Sequence, residues 1–173
     1  MRDLTASVMA EVFHDVEVEP KLQPVTDEGL PSSANRSAEA RLDIRTRGFW
    51  GVNTQEAFFD LRVFHPFASS YSNTSLTSLY RQHERKKKRE YGDRVREVEM
   101  GCFTPLVFST VGGMGREAMA TFKRLANLLA EKKNEPYSVV LGWLRVRMSF
   151  SLLRSALPGM SAWQAYQKEH FRR

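Results

Sequence analysis

Cysteine is nearly absent from these 173 residues: only Cys102 is present. No intrachain disulfide can form, and a zinc site built on cysteines is excluded. The first residues, Met1-Arg2-Asp3-Leu4-Thr5, lack the apolar run of a secretory leader. The expectation is a nuclear or cytoplasmic protein that is not secreted, which makes Asn35-Arg36-Ser37 and Asn73-Thr74-Ser75 chance sequons. The longest apolar stretch, from Tyr137 to about Leu157, is interrupted by Arg145, Arg147 and Arg154, so no membrane span is expected. There is no internal repeat and no GxGxxG, and Gly112-Gly113-Met114-Gly115 lacks the Lys-Ser/Thr of a P-loop. His14, His65, His83 and His170 show no metal spacing, and no Ser/His/Asp grouping stands out.

Positive charge, in contrast, is plentiful. The net charge is +6 and the pI about 9.7, which suits an anionic partner, nucleic acid first. The length fits one domain able to bury a core without staples.

The chain begins with Leu4, Val8, Met9, Val12 and Phe13 at helical spacing, predicting a helix over 3–14. Asp15-Val16-Glu17-Val18-Glu19-Pro20 predicts a short extended piece, and 20–38, rich in Pro, Gly and Ser, a connector loop. Two apolar runs, 40–49 and 57–65, predict a hairpin closed by Pro66. Ser75 can cap a long basic helix running to about Val98, with Gly92 as a weak point. Cys102–Ser109 predicts a buried strand, at an edge or bulge because of Pro105. A helix follows the glycine-rich turn and stops at Asn134. Pro136 opens a last core helix from Tyr137 to about Leu157. The fold class is α/β: one domain over 1–157 with a small mixed β-sheet flanked by helices, then a basic tail, 158–173, that the pattern leaves unplaced.

Each run of the hairpin carries one aspartate, Asp43 and Asp60. Phe58, Phe59, Leu61, Val63 and Phe64 make the second strand apolar on both faces, so it should be central and buried. A buried aspartate is costly unless paired or bound to a cation. A carboxylate pair suits a hard divalent ion such as magnesium, which can assist phosphodiester hydrolysis. The alternative is a cross-strand contact of Asp43 with Arg45 or Arg62. Arg62, two residues after Asp60, points to the same face and can neutralise a phosphate or pair with either acid. Glu11, at the end of the first helix, is a further candidate metal ligand. Along the basic helix, Arg85, Lys86, Lys88, Arg89 and Tyr91 are candidates for nucleic-acid contact, against the alternative of a solvated face or an import signal. Lys87 and Tyr91, four apart, share a side. Gly112–Gly115 could present N–H groups to a phosphate, although a tight strand-to-helix turn explains it better.

An aspartate on one strand, Asp60-x-Arg62 on the next and then Lys87-x-x-x-Tyr91 together resemble the PD-(D/E)xK nuclease core. They are similar in particular to the restriction-endonuclease-like domains of retrotransposons. The phrases His14-Asp15-Val16, Arg41-Leu42-Asp43-Ile44, Arg47-Gly48-Phe49-Trp50, Ala57-Phe58-Phe59-Asp60 and Phe103-Thr104-Pro105-Leu106-Val107-Phe108 resemble the carboxyl-terminal segment of reverse-transcriptase-bearing polyproteins. The resemblance implies a restriction-endonuclease-like fold and a magnesium-dependent endonuclease that nicks DNA. Asp43 and Asp60 would hold Mg2+, Lys87 would stand in for the lysine beside the second acid, and Tyr91 would support it. The partner would be DNA, or RNA. Leu42 replaces the usual proline, Arg62 occupies the usual lysine position, and the gap between the acids is slightly long. An inactive nucleic-acid-binding relic and a protein-interaction module are the alternatives.

Overall fold

Nine consecutive residues, Glu56–Phe64 (β3), form the strand on which every layer rests. The computed structural model describes residues 1–26, 28–51 and 55–156. In chain order, α1 is Arg2–Ala10, β1 Glu17–Val18, β2 Ile44–Arg47 and α2 Leu76–Lys87. A π-helical segment, Lys88–Gly92, then leads into α3, Asp93–Glu97. β4 is Cys102–Ser109, α4 Arg116–Lys133 and α5 Tyr137–Ala156. The sheet order is β1-β2-β3-β4, with β1–β2 and β2–β3 antiparallel and β3–β4 parallel. This is a small mixed α/β domain with helices on both faces of the sheet. A parallel pair needs a crossover, and α2, the π segment and α3 supply it.

Alternation along β3 sorts the core into two sides. Ala57 and Phe59 join α1, α4 and α5 in the larger cluster, with Leu61 and Val63 packed at its margin. Phe58 and Phe64 face the other way, toward Tyr91 and Val95 and toward Leu79 and Tyr80 respectively. Asp60 and Arg62 lie between those two phenylalanines on the crossover side. β3 is an interior strand, as its two apolar faces predict, and β4 with Pro105 is at the sheet's edge, where a missing N–H is tolerated.

Ser75 caps α2 by accepting from Ser78 N at 3.3 Å. Asn134 closes α4 in the left-handed conformation at φ 53°. Three expectations need correction. α1 stops at Ala10, short of Phe13. The basic helix does not break at Gly92 but widens into the π segment there. α5 is not a buried core helix: Val140, Leu144, Met148 and Leu152 enter the core, while Val139, Trp143, Val146, Phe150 and Leu153 are exposed, Phe150 at 64%. The turn residues Val52, Asn53 and Thr54 and the segment 157–173, including the basic tail, lie outside the described residues. Among the described residues no helix is long and apolar enough to cross a membrane.

The connector is held down by Arg94, whose side chain is fully buried. Its Nη1 donates to Asn35 O at 2.7 Å and Ser37 O at 2.9 Å, and its Nη2 to Gln23 O at 2.7 Å. Burial pushes the guanidinium below its usual range, although arginine's starting value is high enough to keep it charged. Leu22, Ala40 and Leu42 then close over Phe58, Tyr91 and Val95.

Gly112–Gly115 does not offer itself to a phosphate. The carboxylate of buried Glu84 reaches it from α2, and Glu84 Oε1 accepts from Glu117 N at 3.1 Å in the first turn of α4. A carboxylate there complements the positive end of the helix dipole. A Cβ at Gly115 would collide with Glu84 Oε1, and one at Gly113 with the Tyr80 hydroxyl. Gly115→Ala should therefore lower unfolding free energy by about 2 kcal/mol, read from a urea midpoint, because the cap must be displaced.

Candidate active site

Asp43 and Asp60 are brought to the same level of neighbouring strands. The ladder pairs Ile44 with Phe59, yet Asp43 N also donates to Phe59 O at 3.1 Å. Two residues thus oppose one at the start of β2, a bulge that re-aims the Asp43 side chain. Its carboxylate fills the next rung: Asp43 Oδ2 accepts from Leu61 N at 2.6 Å. Asp43 is half-buried, and the residue next to its rung is Asp60.

Asp60 is 7% exposed. Lys87 Nζ reaches its Oδ2 at 2.8 Å from the last turn of α2. The contact is close in distance, but its angle is not that of a hydrogen bond, so Oδ2 has charge opposite it and no aligned donor. Burial raises the Asp60 pKa; Lys87 pulls it down, while Asp43 and Glu90 push it up again. Burial opposes the charge on Lys87, yet Asp60 and Glu90 hold its pKa above the usual range. Glu90 Oε2 is 4.0 Å from Lys87 Nζ. Asp60 and Glu90 thus flank one lysine, and Asp43 adds its charge on the Asp60 side, in a partly dry site.

The π segment has a role in this geometry. Side chains four apart on a regular helix drift by about 40° per step. His83, Lys87 and Tyr91 are four apart, and the wider turn beginning at Lys88 takes back the drift, returning Tyr91 to the buried face. Lys87 Nζ lies 5.3 Å from the Tyr91 ring centroid, within cation–π range. Asn35 Nδ2 donates to the Tyr91 hydroxyl at 3.2 Å, so the connector braces the residue that braces Lys87. Tyr91 is buried, which corrects its expected role in nucleic-acid contact.

Arg62 shares the face of Asp60 but is not its partner: among the described residues it forms no ion pair with Asp60 or Asp43. Its Nε is buried without a hydrogen-bond partner, and its charge acts on His83, whose pKa is lowered by burial first and then by Arg62 and Lys86. Nor does Arg45 take Asp43, since it pairs with Glu17 at 2.6 Å. Glu11 is drawn elsewhere, to Lys133 at 2.6 Å and Arg147 at 3.9 Å at the α4–α5 end, so the structure does not bring it to the two aspartates. Among the basic candidates, Arg85, Lys86 and Arg89 are exposed and outside any ion pair among the described residues. Lys88 is engaged by Glu117 at 2.5 Å.

Glu90, Glu84 and Arg94 were missed in the sequence. Only Arg94 left a signal, a charge at helical spacing from Tyr91 on an apolar face. Among the described residues no group of three or more His, Cys, Asp or Glu is placed to hold a metal ion, so a cation here would rest on the two aspartates and main-chain or solvent oxygen. An unaligned buried carboxylate oxygen beside a second acid is a donor set compatible with magnesium. No protein-family model matches the chain, and no curated protein matches it.

Proposed function

We propose that this chain is a retrotransposon-derived, restriction-endonuclease-like domain that hydrolyses phosphodiester bonds and nicks DNA in a magnesium-dependent reaction. The observation that carries the reading is the Asp43–Asp60 pair on adjacent strands with Lys87 Nζ 2.8 Å from Asp60. Asp60 and Asp43 would hold the ion, and the repulsion between their neighbouring charges favours its entry. When bound, magnesium supplies Lewis acidity toward the phosphate and makes a water more acidic. Lys87, freed from Asp60, would set its charge against a phosphate oxygen. Tyr91 would keep the lysine extended, and Arg62 adds fixed positive charge on the same side of the sheet. The inactive nucleic-acid-binding relic is the second reading. It is favoured by arginine at position 62, where this core usually carries lysine, and by the hydrogen bond that ties Asp43 Oδ2 to Leu61 N.

A supercoiled-plasmid assay separates the two. Wild-type protein should produce open circles with magnesium and none with EDTA. Asp60→Asn and Asp43→Asn should each slow nicking at least about a hundredfold, the loss of a few kcal/mol of charge stabilisation. Both amides keep side-chain volume, and the amide oxygen introduced by Asp43→Asn can still accept from Leu61 N. Wild-type protein that binds plasmid without nicking it would favour the relic, and nicking unchanged by Asp60→Asn would assign the activity to a contaminant.

A further inference from the structure

The basic helix has two sides with different partners. Leu79, Tyr80, His83 and Glu84 are buried toward the sheet and α4, and Lys87 and Tyr91 continue that side. Arg81, Arg85 and Arg89 recur every four residues on the outer side, with Gln82 and Lys86 beside them, all exposed. Over Arg81–Arg89 the one acid is Glu84, buried and held on α4, so no acid on this stretch neutralises the outer stripe. Many cations elsewhere are matched, such as Lys21 with Glu39, Arg47 with Glu56, Lys88 with Glu117 and Arg96 with Asp93. Arg41, Arg116, Lys123, Lys132, Arg145 and Arg154, unpaired among the described residues, are scattered over the connector, α4 and α5. Four cations among the described residues are therefore unmatched on one face, and that face is turned away from Asp60.

We propose that Arg81, Arg85, Lys86 and Arg89 form a second surface that grips a nucleic-acid phosphate backbone independently of the Asp43–Asp60–Lys87 site. The proposal rests on the nucleic-acid part of the preceding reading and not on its chemistry. Charge complementarity selects the occupant: repeated phosphates match a row of unmatched guanidinium groups, which position a strand without reading its bases. A lipid surface fits less well. A helix lying on a membrane turns its apolar side outward, whereas α2 buries its apolar side and exposes only Leu76, at its first turn. Since the stripe and the acid site lie on opposite sides of one helix, one short stretch of backbone cannot touch both. Gripping and cutting would act on separate segments of a longer nucleic acid, or on two molecules.

The experiment measures anisotropy of a fluorescent duplex oligonucleotide across a series of potassium chloride concentrations. The variant Arg81→Gln/Arg85→Gln/Lys86→Gln/Arg89→Gln should lose at least about tenfold in affinity at low salt. Its slope of log K against log salt should flatten by about 3–4. Lys88→Gln and Lys21→Gln should keep both affinity and slope. An unchanged slope in the fourfold variant, or an equal loss in Lys21→Gln, overturns the second surface. So does stripe-dependent binding to anionic vesicles without duplex binding. Failure of the nuclease reading would look different, with plasmid nicking absent while the salt slope and its dependence on the stripe persist.

Discussion

Replacing Arg94 with alanine is expected to lower the unfolding free energy by about 3–4 kcal/mol, one of the two largest effects expected of a single substitution in this chain. The guanidinium satisfies three main-chain carbonyls, those of Gln23, Asn35 and Ser37, and is itself fully buried. Alanine would leave the Gln23 and Asn35 carbonyls without a donor, Ser37 O keeping Ala40 N at 3.2 Å, and open a void under the connector. Lysine would recover only part of the loss, since a single ammonium lacks the planar fork that spans three carbonyls at once. Urea denaturation gives the magnitude. Limited trypsin digestion locates it: cleavage after Arg36 in the connector should accelerate well before the sheet and helices become susceptible. The effect should also reach the acid site, because Asn35 holds the Tyr91 hydroxyl as well as one of the Arg94 contacts.

Lys87→Met should be nearly as costly, and its cost should depend on pH. Burial already lifts the Asp60 pKa, Asp43 and Glu90 add to it, and Lys87 is the group that opposes them. Without the lysine, the folded-state pKa of Asp60 rises further above its unfolded value near 4. A raised folded-state pKa means that the protonated acid favours the fold. The variant should therefore be close to wild type below about pH 4 and lose stability as pH rises through the folded-state pKa, reaching a deficit of about 3 kcal/mol at pH 7. The side chains of Lys87 and Asp60 are only 16% and 10% exposed, so solvent screens the pair weakly. Urea titrations at pH 4 and pH 7 check the trend. The double variant Asp60→Asn/Lys87→Met should regain most of the loss, and a double variant as unstable as Lys87→Met would show that the two groups are not coupled.

Local pattern carried the elements well. The paired apolar strands that carry Asp43 and Asp60, the Ser75 cap and the Asn134 stop each depend on residues within one turn or one hairpin, and the structure has them where the pattern puts them. What escaped depends on distant partners. The carbonyls that Arg94 binds are 57 to 71 residues away along the chain, and Glu84 caps a helix whose first turn is 33 residues on. The spacing of Arg94 from Tyr91 marks its face but not the carbonyls it binds, and the Glu84 cap leaves no local signature. α5 was misread for another reason: it is apolar on opposite sides, and periodicity cannot say which side meets the core. Lys87 shows the limit from the other direction. Its four-residue relation to Tyr91 was legible, but its contact with Asp60 depends on where a crossover helix lands on a strand.

A π turn is, in register, an α-helical turn with one residue too many. Indels inside the Lys88–Gly92 segment should therefore behave asymmetrically. Removing one residue restores the ordinary ladder and leaves Lys87 where it is. Everything beyond it keeps close to its present face, whereas one further inserted residue would swing Tyr91, Arg94 and Val95 by about 100° off the sheet. The segment works as a phase shifter between two halves of one helix. The first half is indexed to the acid site and the second to the connector, so the alignment of both survives loss of that extra residue but not the gain of another.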